Sequence, residues 1–408
     1  MDPKLALLLA RLTSTLGSVL TAASVPLYLA EKGQAHWIPQ TLIAMAGARI
    51  MATFGLLPRL SRFADVQILP ATAATGALAL AFFATGHFYF GALGGSTFFV
   101  ALVAVATLLG SIDDAVAHSS LATLASGATG ATSESGQRWV HLDSTLFTLS
   151  RLSAPAVAGM LLAVSGARLE VILSVDALSY GLALALYCRF LPRGSVGGSS
   201  LPSDPRANPL WGVRSVVREF RERGDRWWPL LTLGFGASAY NAGVVIYLKG
   251  LGYSLAELSG FMTAQNAGMV LTGLLLTRSP AWARYRAQGT LLASLGLFLI
   301  SFAHPWVPLW LASALMAVGM VIHLQGLRAE LASGRAGEVV GSSPDSRRFA
   351  LSLLTLLNSS TGIGGALIWS GVAPVFGWRA CLQAGSAGIF LAGMLCLRGS
   401  LRATAEVR

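Results

Sequence analysis

The chain has 408 residues, of which 54% are hydrophobic and only 12% charged, and its mean hydropathy is +0.63. Soluble domains carry roughly 25% charged residues, so a water-soluble enzyme is excluded as a first reading and a bilayer is the natural solvent. The formal charge of +11 does not mark a nucleic-acid binder, because the cations sit between apolar runs and not on one wet face.

Apolar runs of about 20 residues, the length that crosses a bilayer, are predicted at 5–29, 37–57, 66–85, 97–117, 140–164 and 169–191. A second set follows at 228–248, 255–277, 288–303, 306–327, 349–373 and 380–397. Only Lys4 precedes the first run and no small-residue cleavage site follows it, so it is read as a spanning helix and not as a signal peptide. Between the two sets lies a polar strap, 192–227, with Arg193, Arg206, Arg214, Arg218, Arg221, Arg223 and Arg226. Its piece 210–223 is amphipathic and suits the anionic face of a membrane. The loops 115–138 and 333–348 are read as connectors. The expected organisation is therefore a bundle over 1–191, a basic linker over 192–227 and a second bundle over 228–408.

With the N-terminus inside, twenty-one Lys and Arg residues between spans fall on the cytoplasmic side and four (Lys32, Arg168, Lys249, Arg379) outside. The positive-inside rule then places both termini in the cytoplasm. Cys188, Cys381 and Cys396 have no metal spacing and imply no disulfide framework. No GxSxG, HExxH, CxxC or P-loop pattern occurs, so the sequence points to no ATP site and no cofactor, and an ion gradient is the expected energy source.

The two halves repeat each other. Tyr28-Leu29 followed by Gly33 recurs as Tyr247-Leu248 followed by Gly252, and Gly166-Ala167-Arg168 recurs as Gly377-Trp378-Arg379. Repeats of this kind are a mark of secondary transporters. Across essentially the whole chain the sequence resembles the major facilitator superfamily, and within it the bacterial exporters of siderophores and drugs. Arg151 to Gly159 (Arg-Leu-Ser-Ala-Pro-Ala-Val-Ala-Gly) and Asp176-Ala177-Leu178-Ser179 carry the resemblance. The superfamily's signature loop is poorly kept, Ser61 to Asp65 being its best register. The resemblance implies an all-α membrane protein of 12 transmembrane helices, arranged as two six-helix bundles with pseudo-two-fold symmetry. It also implies a multi-pass, monomeric protein of the bacterial inner membrane, whose partners are protons, lipid and a small molecule.

A charge at bilayer depth costs roughly 2.5 to 3.5 kcal/mol even on lenient scales, which singles out Arg11, Arg49 and Arg151. Arg11, Ser14, Ser18 and Thr21 recur at helical steps, as do Thr107, Ser111, Asp114 and His118, and His141, Ser144, Thr148 and Arg151. The resemblance makes helices one, two, four and five cavity-lining. Helices three and six show no such stripe, and Asp176 is read as their sole acid. The second half offers Tyr240, Asn241, Gln265, Asn266, His323 and Asn358, with Met269, Met316 and Met320.

A cationic wall opposite a neutral one suits an amphiphilic anion, since guanidinium forks match carboxylates. Arg11, Ser18, Arg49, Thr148, Arg151, Tyr240, Asn241, Asn266, His323 and Asn358 are thus the candidate substrate residues. Asp114, His118, Asp143 and Asp176 are the candidate proton carriers. The leading reading is proton-driven export of an anionic metabolite such as a carboxylate siderophore, by rocking of the halves about a midplane site. Four alternatives stand beside it: a proton-coupled drug pump, an importer of organic acids, a membrane transferase holding magnesium at Asp113-Asp114, and a non-transporting receptor or scaffold of the same fold. Two blander structural readings stay open, that the arginines pair with internal aspartates and that Asp113 and Asp114 cap the fourth helix.

Overall fold

The computed structural model describes residues 2–60, 63–90, 95–126, 146, 150, 153–166, 168–191, 209–278, 285–303, 308–332 and 344–406. Among them every regular element is a helix. In order these are α1 (Pro3–Glu31), α2 (Ile38–Ile50), α3 (Asp65–Phe90), α4 (Gly95–Ser126), α5 (Ser153–Val164) and α6 (Leu169–Phe190). Then come α7 (Pro209–Gly250), α8 (Leu255–Arg278), α9 (Arg286–Ser301) and α10 (Leu309–Ala332). The last run, Pro344–Glu406, breaks at Gly377 (φ 79, ψ 156) into α11 (344–376) and α12 (378–406). Among the described residues seven helical stretches are long and apolar enough to cross a membrane, the last of them running through Gly377.

Local chemistry explains the starts. Asp2 accepts a hydrogen bond from the Lys4 amide with Pro3 at the first helical position of α1, the pairing favoured where helix N–H groups lack partners. At α8 the Glu257 carboxylate accepts from the Ser254 amide at 2.7 Å while the Glu257 amide reaches Ser254 Oγ at 3.3 Å, a capping box. After Ile50 the second span relaxes into a π-helix over Met51–Leu56, with the Leu57 amide reaching back to the Ala52 carbonyl, and then regains α geometry over Leu57–Leu60. Such π turns gather at functional positions.

Two expectations are revised. The amphipathic part of the strap is continuous with the seventh span, since Pro209–Gly250 forms a single helix. The fourth span runs on to Ser126, so Asp113 and Asp114 lie inside a helix and do not cap its end. The rest of the strap and residues 127–145 lie outside the described residues.

The chain divides into two compact units, Met1–Trp37 with Gly47–Pro209, and Ile38–Ala46 with Leu210–Arg408. In the first, α1, α3, α4 and α6 pack on one another. In the second, Tyr240 of α7 meets Ser313 of α10, Trp369 of α11 donates to the Phe235 carbonyl of α7, and Ser294 of α9 and Ser386 of α12 exchange hydrogen bonds. Among the described residues the glycines with positive φ are Gly33, Gly166, Gly252 and Gly377, the very residues that the sequence repeat pairs. The repeat is thus one of backbone conformation as well as of spelling.

Gly377, at φ 79 and ψ 156, has a combination of angles that is essentially closed to side chains. Gly377→Ala is expected to cost about 1–3 kcal/mol and to lower the thermal unfolding temperature in detergent. Gly362→Ala, a helical position with open space around it, is expected to be neutral or slightly stabilising.

Candidate functional site

The polar face of α1 meets a partner at every step. Arg11, buried, donates through Nη2 to Asp114 Oδ1 of α4 at 2.5 Å, and the Asp114 side chain keeps 44% exposure. Ser14 Oγ donates to Asp113 Oδ2 at 2.7 Å, and Tyr187 of α6 donates its phenol to Asp113 Oδ1 at 3.2 Å. Ser18 Oγ and Tyr180 OH are 3.0 Å apart. Thr21 Oγ1 donates to Asp176 Oδ2 at 2.6 Å, and Ser179 lies 3.4 Å from Oδ1.

Packing makes these contacts possible. A Cβ on Gly17 would fall on Asp176 and Ser179, and one on Gly76 would fall on the Tyr180 ring. Glycine therefore lets α1 and α3 approach α6 closely enough for short side chains to bond, the way small residues draw membrane helices together.

Two acids of this seam, Asp113 and Asp176, are almost wholly buried. Isolated charge in such a place is costly, yet among the described residues Asp176 meets hydroxyls alone. A hydroxyl donates to a carboxylate and accepts from a carboxylic acid, so this surrounding tolerates either protonation state. Asp114 differs, being fixed as the counter-ion of Arg11.

Arg49, in the middle of the second span and just before the π turn, is exposed. It makes no ion pair or hydrogen bond among the described residues.

No protein-family profile matches the sequence, and no curated protein matches it either. Solved structures do. The nucleoside transporter NupG superposes with a TM-score of 0.72 at 14% identity, over 98% of this chain and 99% of that one. The D-xylose-proton symporter gives 0.67 at 12% identity, over 96% of each chain. The human organic anion transporter MFSD10 (TETRAN) gives 0.59 at 14% identity, over 96% of this chain and 98% of that one.

This chain has the major facilitator fold. The matched structures are of transporters, and the two acids that the transferase reading assigned to magnesium have other partners, Asp113 in Ser14 and Tyr187 and Asp114 in Arg11.

On the major facilitator scaffold the predicted residues fall into groups. Arg11 is the internal ion pair that the sequence left open, so it and Asp114 are committed to each other. Ser18 belongs to the seam through Tyr180. Tyr240 and His323, placed on a substrate wall by the sequence reading, turn into the second unit. Tyr240 OH is 3.5 Å from Ser313 Oγ, and His323 Nδ1 is 2.7 Å from Thr290 Oγ1. A buried phenol or imidazole needs such partners. Asn241 and Asn358 are exposed and Asn266 is half-buried. Asp143, Thr148 and Arg151 lie outside the described residues, as does the side chain of His118.

Helices three and six are not bare. Asp176, Tyr180 and Tyr187 form a helical stripe on α6, and α3 carries buried His87 and Asp65, the latter accepting from Ser120 at 2.6 Å. The stripe was hidden because tyrosines count as apolar residues in a hydropathy reading.

Thr21→Val removes one of the two hydroxyls facing the Asp176 carboxylate and is expected to cost about 1–3 kcal/mol. Thr21→Ser is expected to stay near wild type. Thermal unfolding of the two purified variants in detergent checks this.

Proposed function

We propose that this protein is a secondary transporter of a small organic anion, coupled to protons and working by alternating access. Arg49 is the group that recognises the anion, and the buried acids of the α1, α4 and α6 seam are the proton carriers. One observation carries the reading: a guanidinium at mid-span, exposed, without a partner among the described residues, beside a π turn. Left against lipid it would cost roughly 2.5–3.5 kcal/mol or more. Such a group is retained where it faces water and a ligand, and its planar fork suits a carboxylate.

The seam supplies the second half of the argument. Asp176 sits among hydroxyls indifferent to its protonation, the property required of a group that takes up and releases a proton in each cycle. The fold accommodates both chemistries, since structures sharing it include an organic anion transporter and a proton symporter.

Export by proton antiport is the direction we propose, on the likeness of Arg151 to Gly159 to exporter sequences, with carboxylate-rich metal chelators as the substrate class. The excess of Lys and Arg between cytoplasmic loops supports a bacterial inner-membrane location with both termini inside.

The test is a thermal-shift panel on the purified chain with citrate and dicarboxylates against quaternary ammonium dyes. Anions are expected to raise the melting temperature; at a hundredfold excess over Kd the stabilisation is about 2.7 kcal/mol. Arg49→Ala is expected to lose the anion response and Arg49→Lys to keep part of it. Stabilisation by the cationic dyes alone, or an unaltered anion response in Arg49→Ala, overturns the proposal.

A further inference from the structure

The unit formed by α1, α3, α4 and α6 carries a second set of titratable groups that the seam does not use. It lies at the opposite end of α1 from the Arg11 pair. Tyr28 OH of α1 is 3.0 Å from His87 Nε2 of α3, and His87 Nδ1 is 3.0 Å from Glu170 Oε2 in the first turn of α6. The His87 side chain is 8% exposed and that of Glu170 20%, so the carboxylate is the edge open to solvent and the imidazole lies behind it. Phe98 and Phe99 of α4 complete the enclosure, their ring centroids 5.6 and 6.5 Å from that of His87. Charged groups at the ends of these elements are Glu31 and Lys32 on α1 and Arg168 before α6; Lys32 Nζ stands 5.8 Å from the Tyr28 ring centroid. From α4 the Phe98 and Phe99 rings face His87.

The internal repeat supplies the comparison that gives these groups meaning. Tyr247 is the repeat partner of Tyr28 and likewise links the first and third helices of its half, but it does so by donating to the Ser301 carbonyl at 2.8 Å. A main-chain oxygen therefore suffices where only a structural tie is needed. In the first half the same tie runs through an imidazole and a carboxylate, groups that cost more to bury.

We propose that Tyr28, His87 and Glu170 form a proton-binding site at this end of the first unit. With Glu170 ionised, His87 donates through Nδ1–H and its Nε2 accepts the phenol proton. One added proton makes the ring an imidazolium with N–H on both nitrogens. Tyr28 oxygen must then accept, and its own proton must turn away. Among the described residues the Tyr28 hydroxyl has no second hydrogen-bond partner, so proton uptake reverses one bond and loosens the phenol at the end of α1. Lys32 and Gly33, where α1 ends and the chain turns, follow directly.

The inference rests on the transport reading only for the use made of the proton. Its test is read without transport, so the two fail separately. The full chain is labelled with isotopic histidine in nanodiscs, and its six histidines are followed by NMR against pH. The signal missing in His87→Gln is assigned to His87. Its ring signals are expected to respond to pH within the wild-type stability range, and that response is expected to move in Glu170→Gln, where the carboxylate that accepts from Nδ1 is gone. Tyr28→Phe is expected to keep the pH response and to shift the Nε2 signal of the neutral ring, which loses its hydrogen-bond donor while Glu170 still holds the proton on Nδ1. If His87→Gln fails to fold, the one signal moved by both other variants identifies the residue. A His87 signal that stays neutral from about pH 5 to 8, or a midpoint untouched by Glu170→Gln, overturns the site.

Discussion

The structure depends on how α1 hides its polar face. A helix crossing hydrocarbon with Arg11, Ser14, Ser18 and Thr21 on one side must meet a matching surface, because each unsatisfied polar group in that setting costs several kcal/mol. The matching surface comes from α4 and α6, and it is spelled in acids and phenols: Asp114, Asp113, Tyr187, Tyr180, Asp176. Glycines at 17 and 76 set the separation. The order of partners along α1 fixes its rotation, since a turn about its axis would set Arg11 against apolar side chains and strand Asp176. Polar pairing supplies specificity here, while apolar packing supplies most of the contact area.

The two halves share a backbone plan and differ in chemistry. In the second unit the corresponding ties are neutral: Tyr247 to a carbonyl, Ser294 with Ser386, Trp369 to a carbonyl and to Ser238. Close packing there is equally tight, with Gly236 against Gly385 and Gly289 against Gly319. Among the described residues the second unit buries no acid, so the repeated backbone plan does not itself call for the acids of the first unit.

Legibility in the sequence followed the physics of each signal. Span positions were readable because hydrocarbon imposes length and composition, and the repeat because positive-φ turns demand glycine at Gly33, Gly166, Gly252 and Gly377. The α1 stripe was readable because serine, threonine and arginine stand out against apolar residues at helical steps. Its partners were not. Tyr180 and Tyr187 look apolar in a hydropathy reading, and His87 and Glu170 stand alone in their own helices, meaningful only once α1, α3 and α6 are side by side. The continuity of the strap with α7 was hidden as well, since an amphipathic segment followed by an apolar one changes its environment without ending its helix.

Arg11 and Arg49 show why a charge in a span cannot be judged by its depth alone. Both lie within apolar helices, and a sequence gives them equal standing. Arg11 lies on the face of α1 that α4 covers, where Asp114 neutralises it and leaves little attraction for an anion from outside. Arg49 precedes a π turn, which inserts an extra residue into the helical repeat and so shifts the faces of the helix that follow relative to those that precede. A face re-aimed in this way need not sit against a neighbouring helix, so the residue ahead of it can stay open. Removing that insertion would realign the two parts of the helix, and the guanidinium would have to find either a counter-ion or the hydrocarbon.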